Sequence, residues 1–246
     1  MQLRVLGSSS AGNGYILTDK DGSALAIEAG VRATEYFRFN QPSAFAGVLV
    51  THEHGDHAVN ALQLLASYGL KVIATKGTID ALGIPFYGAY PLLSPGHYSL
   101  VVDGWAVASV EVSHDAVEPC GFVIKRGVHK ILFLTDLEAF PEISHELLEG
   151  LTTVMIEANY DAEIAIRTGA SKAHLDRVSA SHLSIAQAEQ AIKGLAGYPV
   201  ENIILLHLSG DNSNAEEFKR RVQDVAPASR VYVADKGLCI NDLSLF

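Results

Sequence analysis

The sequence has few cysteines and no long apolar run. Its 246 residues include 2 cysteines, Cys120 and Cys239, too few for the disulfide framework of a small secreted domain, so we expect two free thiols. No run approaches the roughly 20 apolar residues that cross a bilayer, and the first residues lack the basic-then-apolar layout of a signal peptide. These absences predict a chain that does not enter a membrane and that resides in the cytoplasm.

Basic residues are also scarce. The chain has 18 Lys and Arg against 28 Asp and Glu, which gives a formal net charge of −10. This balance works against extensive coating of nucleic acid, because non-specific affinity for a polyanion comes mainly from Lys and Arg. A phosphate-bearing substrate would have to be held locally, and metal cations bound among carboxylates could supply the positive charge.

Composition and patterning predict one well-packed domain over residues 1–246. Hydrophobic residues make up 48% and charged residues 19%, which is far from the composition of a disordered chain. Short strands dominate the first half and strands alternate with helices later, which indicates an α/β (α+β) fold of two mixed sheets with helices outside, a four-layer αββα sandwich. Strands are predicted at 2–6, 15–18, 24–28, 47–50, 71–74, 98–102, 105–112, 121–125, 130–134, 153–157, 203–206 and 230–234. Helices are predicted at 58–68, 184–195 and 214–225.

One short segment concentrates metal-binding side chains. His52, His54, Asp56 and His57 follow the apolar run 47–50 directly. In an extended turn, residues two apart point the same way, so His52 and His54 can hold one ion while Asp56 and His57 turn toward a second. Four nitrogen and oxygen ligands within six residues rarely arise by chance, so the segment predicts a transition-metal site.

A two-ion site needs further ligands from distant loops and a carboxylate that bridges the ions. His114, Asp136 and His207 each end a strand-like segment, where the ligands of such a site would gather. Taken alone, His114 could equally be a half-buried structural imidazole, and Asp136 could cap a helix or a turn. The same strand-then-ligand layout three times over favours the metal-binding interpretation.

The order HxHxDH, then His, then Asp, then a late His resembles the metallo-β-lactamase superfamily and spans residues 7–214. The resemblance implies the metallo-β-lactamase fold and two divalent ions, with zinc expected ahead of manganese and manganese ahead of iron. It implies that the first ion is held by His52, His54 and His114, the second by Asp56, His57 and His207, and that Asp136 bridges them.

Segments 7–13, 157–161, 181–184 and 207–212 resemble the bacterial YycJ (WalJ) branch of that superfamily, whose members are regarded as DNA exonucleases. Related nucleases carry a His-x-Ser element like that of residues 182–184 near the scissile phosphate. The resemblance implies a catalytic role for His182. It also implies that the substrate is contacted by Ser10, Asn13, Ser184 and Asn159. For the loop that holds Ser10 and Asn13, a tight hairpin connection is the equal alternative.

Two positions and one missing segment depart from these relatives. Glu28 stands where the family usually has Asp, one methylene shorter, so its geometry behind the metal ligands is open. Ile185 stands where Asn commonly follows the Ser of the His-x-Ser element. The chain is also too short to contain the large inserted cap domain of the related nucleases.

Phosphodiester hydrolysis is the resulting hypothesis: a 5′–3′ exonuclease-like enzyme acting on DNA, with Asp56, Asp136 and His182 as catalytic residues. Two bound ions would activate a water molecule and offset the charge that develops on the phosphate. Single-stranded nucleic acid or a small phosphodiester is the expected partner, and the sequence does not indicate an oligomeric state. One alternative is a small-molecule phosphodiesterase acting on cyclic or modified nucleotides. Another is a non-catalytic regulatory protein that binds metal.

Overall fold

A computed structural model describes residues 1–92 and 95–244 of the chain. The strands are β1 Gln2–Gly7, β2 Gly14–Thr18, β3 Ala24–Ile27, β4 Phe45–Leu49, β5 Val72–Thr75, β6 Ala89–Leu92, β7 Tyr98–Val102, β8 Trp105–Glu111, β9 Cys120–Arg126, β10 His129–Leu134, β11 Thr153–Glu157, β12 Asn202–Leu206, β13 Arg230–Val233 and β14 Cys239–Ile240. The helices are α1 Ala33–Tyr36, α2 Gly55–Ala58, α3 Ala61–Tyr68, α4 Lys76–Ala81, α5 His145–Leu148, α6 Ala162–Arg167, α7 Lys172–Ser179, α8 Ile185–Gly194 and α9 Ala215–Val225. Within the two described ranges, no helix combines the length and apolar character that a membrane span requires.

In this part of the chain the strands form two mixed sheets, ordered β14-β1-β2-β3-β4-β5-β6 and β13-β12-β11-β10-β9-β8-β7. Strands β3 to β6 run parallel in the first sheet, and β10 to β13 run parallel in the second. Because parallel strands end at the same edge of a sheet, residues that follow different strands are brought close together there.

The two sheets stack face to face, with helices covering both outer faces. Along β10 the side chains alternate between the two faces of the sheet. Ile131 and Phe133 lie in the apolar layer between the sheets, whereas Leu132 and Leu134 lie in the apolar layer between the second sheet and the helices that cover it. A third apolar layer separates the first sheet from α1 to α4. This is the predicted four-layer αββα sandwich, which is confirmed.

The predicted helix over 58–68 is divided in the structure. Helix α2 ends at Ala58 and α3 begins at Ala61, because Asn60 turns its bonds toward the loop after β3: its backbone N–H donates to the carbonyl of Ala29 at 2.9 Å and its side-chain amide to that of Val31 at 2.8 Å. The helices that sequence patterning missed, α1 and α4 to α7, are 4 to 8 residues long, and so few turns leave little room for a helical period to stand out. The expectation of a single domain stays a prediction.

Candidate metal centre

The parallel strands place the candidate ligands at one edge of the sandwich. Asp136 follows β10, Glu157 ends β11 and His207 follows β12, so the three residues end neighbouring parallel strands. Asp136 and His207 have positive φ angles of 50° and 54°. Non-glycine residues seldom adopt such angles, and those that do are concentrated at functional sites. The backbone of His207 is held by the Ser8 hydroxyl, which accepts its N–H at 2.9 Å.

Three histidines form the first candidate ion-binding group. His52, His54 and His114 each offer a ring nitrogen, and these nitrogens lie within 4.8 Å of one another. His54 Nδ1 lies 3.3 Å from His114 Nε2. His52 Nε2 lies 3.8 Å from Asp136 Oδ2, so the group borders directly on the second one.

The second group consists of Asp56, His57, Asp136 and His207, whose ligand atoms again lie within 4.8 Å of one another. His57 Nε2 lies 3.3 Å from Asp56 Oδ2 and 3.2 Å from Asp136 Oδ2. His207 Nδ1 lies 2.6 Å from Asp136 Oδ1, and its Nε2 lies 3.7 Å from Asp56 Oδ2. Asp136 therefore stands between the groups, close to ring nitrogens of both.

Buried ring nitrogens without hydrogen-bond partners indicate that this arrangement suits cations. In the described residues, they include His52 Nε2 and His207 Nε2. Burying such an atom without a partner costs free energy, which a cation bound to it would offset. Imidazole and carboxylate donors suit zinc, manganese or iron, so the residues fit a pair of divalent ions.

Charges within the cluster divide the histidines into two kinds. Burial lowers the pKa of His52 to about 2, with nearby His57 adding to the effect, so this ring is neutral and ready to bind a cation. Burial also opposes a charge on His207, but the Asp136 carboxylate outweighs it and raises the His207 pKa to about 10. Although burial favours its neutral form, Asp136 has a pKa well below the usual range because of the charges on His207 and His57, and it stays ionised.

Glu28 and Asn13 contact the candidate ligand His57, each at a different ring nitrogen. Glu28 is fully buried; its Oε1 accepts the Thr51 hydroxyl at 2.7 Å and lies 3.4 Å from His57 Nδ1. The longer acid thus reaches the ligand ring in this chain. Asn13 is also fully buried, and its amide nitrogen lies 3.1 Å from His57 Nε2 and 3.3 Å from the carbonyl oxygen of Asp56.

Sequence reasoning missed Glu157 as a site residue. This fully buried carboxylate accepts a hydrogen bond from His182 Nδ1 at 2.7 Å and lies 3.1 Å from His207 Nδ1. Its Oε2 accepts the backbone N–H of Leu183 at 2.9 Å. Glu157 ends an apolar strand just as Asp136 and His207 follow theirs, so the strand-then-ligand rule would have found it.

A cavity opens beside the two groups, lined by His54, Asp56, His114, Asp136 and His207 among others. Of the remaining residues assigned to the site from sequence, Ser10 and His182 line this cavity too.

Ser184 and Asn159 make contacts within the protein instead. The Ser184 side chain caps α8 in a reciprocal pair with Gln187, and the Asn159 amide donates to the carbonyl of His207 at 2.8 Å. Their substrate-binding roles, like those of Asn13 and Ser10, stay predictions.

Comparison with known proteins shows that the chain is similar to a family of hydrolase domains, to named relatives and to solved structures. Residues 29–208 match the family described as the beta-lactamase superfamily domain. The chain is 30% identical to exodeoxyribonuclease YycJ of Bacillus anthracis over 239 residues, covering 92% of this chain and 89% of the relative. It is 27% identical to exodeoxyribonuclease WalJ of Streptococcus pneumoniae over 225 residues, covering 86% and 83%. The structure of the metallo-beta-lactamase fold protein YhfI from Bacillus subtilis superposes with a TM-score of 0.75 over 97% of this chain and 98% of that one. At 17% identity, this last similarity concerns the fold alone.

Proposed function

This chain belongs to the metallo-β-lactamase superfamily and is a metal-dependent hydrolase of that fold, and from this premise we propose that it is a two-metal phosphodiesterase that hydrolyses DNA strands from the 5′ end. The feature that carries the proposal is the meeting of two candidate ion-binding groups at Asp136, beside an open cavity. A purely structural zinc site is usually closed by four protein ligands, whereas this cavity leaves room for a substrate beside the ligands. A bound ion pair supplies an activated water and offsets the negative charge that develops on the phosphate.

The chain's own carboxylates orient the reacting groups. Asp56 and Asp136 both line the cavity, and Asp136 is ionised because nearby His207 and His57 outweigh the effect of its burial on its pKa. Ionised carboxylates accept hydrogen bonds, so the pair would orient an attacking water.

His182 supplies the proton for the leaving oxygen. Its Nδ1 donates to Glu157, which leaves Nε2 as the nitrogen free to face a substrate. Burial opposes a charge on His182, but the hydrogen bond to Glu157 and the charge of that carboxylate outweigh it and raise the pKa of the imidazole. A raised pKa favours the protonated ring, the form that can pass a proton to the leaving oxygen, and general acids of this kind accelerate reactions by about 10²- to 10⁴-fold.

The relatives and the net charge support the substrate class. Two of the relatives are named exodeoxyribonucleases, which favours DNA. A net charge of −10 favours contact with a strand end over contact along a duplex. The same acidic character also favours a second candidate, a phosphodiesterase that acts on cyclic or modified nucleotides.

Purified protein loaded with zinc or with manganese is assayed against 5′-phosphorylated single-stranded DNA, RNA of the same sequence, cyclic nucleotides and a chromogenic phosphodiester. We expect release of nucleotides from the 5′ end of DNA. Turnover of cyclic nucleotides without DNA degradation would favour the second candidate, and fully loaded protein that cleaves none of these would overturn both. Asp136→Asn should lose bound metal and activity together, whereas the control Glu142→Gln, at an exposed acid, should keep both.

A further inference from the structure

An arginine lines the cavity beside the metal ligands. Arg177 lies in the last turn of α7, and among the described residues that line this cavity it is the one Lys or Arg. In a chain with a net charge of −10, a cation at this position is a local exception. Asp115 also lines the cavity, so the guanidinium is not part of a generally basic surface.

Backbone contacts tie Arg177 to the first ion-binding group. The Ser181 hydroxyl donates to the carbonyl of Arg177 at 3.0 Å, and His114 Nδ1 lies 3.2 Å from the carbonyl oxygen of Ser181. His182 N–H donates to the carbonyl of Val178 at 2.9 Å. The end of α7 is thereby held against a candidate metal ligand and against the candidate proton donor.

A series of contacts connects the guanidinium with the loop that follows His207. Arg177 Nη2 lies 3.3 Å from His174 Nδ1, and His174 Nε2 lies 3.2 Å from the amide of Asn212. Asn212 is buried and its backbone N–H donates to the hydroxyl of Ser209 at 3.2 Å, in the loop that follows His207. The guanidinium is therefore positioned, through His174 and Asn212, relative to the loop that follows His207.

The guanidinium has no carboxylate partner in the described part of the chain, where its hydrogen bond is to His174. Two other arginines differ: Arg126 pairs with Asp19 and Asp21, and Arg221 pairs with Asp161 and Glu189. The remaining N–H donors of Arg177 are thus available to an anion. A planar guanidinium suits phosphate because it can donate two parallel hydrogen bonds.

We propose that Arg177 binds a phosphate group of the substrate in this cavity and so determines affinity for phosphorylated strands. This inference rests on the proposed function. The phosphate belongs either to the 5′ end of a strand or to an internal diester.

The test compares Arg177→Gln with Arg167→Gln. Arg167 is likewise exposed, lies in the last turn of the preceding helix α6 and loses the same charge, so it is a matched control. On zinc-loaded protein we expect Arg177→Gln to raise KM for a 5′-phosphorylated strand roughly tenfold or more, as loss of a charge-assisted hydrogen bond does, with a much smaller change in kcat. The salt dependence of binding should weaken by about one released ion. Arg177→Lys should recover part of the affinity, and bound zinc should be equal in all variants.

Comparing DNA that carries a 5′-phosphate with DNA that carries a 5′-hydroxyl distinguishes the terminal phosphate from an internal diester. An effect confined to the 5′-phosphorylated strand identifies the terminal phosphate, and an equal effect on both identifies an internal diester. KM values of the two glutamine variants within twofold of each other on both strands would overturn the inference.

Binding of inorganic phosphate to zinc-loaded protein, measured by calorimetry, separates failure of this inference from failure of the proposed function. If no nucleic acid is cleaved, the proposed function fails, yet Arg177→Gln should still weaken phosphate binding roughly tenfold relative to Arg167→Gln. Equal dissociation constants would overturn the role of Arg177 regardless of the substrate.

Discussion

The carboxylate of Glu157 lies 2.7 Å from Nδ1 of His182, and it joins a fully buried strand end to an imidazole that lines the cavity. The same oxygen lies 3.1 Å from Nδ1 of His207, a candidate metal ligand. One carboxylate thus orients both the candidate proton donor and a ligand of the second ion-binding group.

Glu157→Gln should move the alkaline limb of the kcat–pH profile to lower pH. Burial opposes the charge on His182, and Glu157 overcomes it to raise the pKa of the ring. A general acid works while protonated, so activity is lost as pH rises through that pKa. Removing the carboxylate charge lowers the pKa of His182, so activity is lost at a lower pH. A profile that keeps its shape, as expected for the exposed control Glu163→Gln, would rule out this role.

His182→Ala should lower kcat by about 10²- to 10⁴-fold, the range for removal of a general acid. Bound metal should stay unchanged, since the candidate ligands remain. Steady-state kinetics combined with elemental analysis checks both expectations, with His97→Ala at an exposed histidine as the control. Loss of metal in the His182 variant would show that this residue is a ligand instead.

Glu28→Asp should weaken metal binding although it restores the acid that is usual in the family. The shorter side chain would withdraw from the Thr51 hydroxyl, now 2.7 Å away, and from His57 Nδ1, now 3.4 Å away. Changes to such supporting contacts typically cost about 10- to 100-fold in metal affinity. Competition with a chelator measures the change, and equal or tighter binding would contradict the account of Glu28.

Metal binding should release protons, and affinity should rise with pH. Burial opposes a charge on His207, but the Asp136 carboxylate, aided by Glu157, raises the His207 pKa to about 10. In metal-free protein both ring nitrogens therefore carry a proton at neutral pH, and one proton must leave before that nitrogen can bind a cation. Affinity therefore increases up to the pKa and levels off above it. Calorimetry at pH 7 in buffers of different ionisation enthalpy counts the protons, and a count of zero would refute the predicted charge state.

Much of the fold could be predicted because apolar runs and long periodic segments indicate strands and helices directly. Residues 130–134, of which the last four are apolar, were assigned as a strand and form part of β10, and the helix predicted at 184–195 is α8 with Ser184 as its cap. Helix α7 was missed because it buries only Val178 among its 8 residues, so it lacks the apolar stripe by which a helix is recognised from sequence.

By itself, the sequence determined which side chains could bind metal, because His52, His54, Asp56 and His57 are neighbours along the chain and proximity follows from covalent connection. Only the tertiary structure decided that Glu157 contacts His182 and His207, and that Arg177 lines the same cavity as His114. These proximities join residues 25 to 63 positions apart. They depend on strand order and on where α7 packs, which no local pattern of residue types encodes.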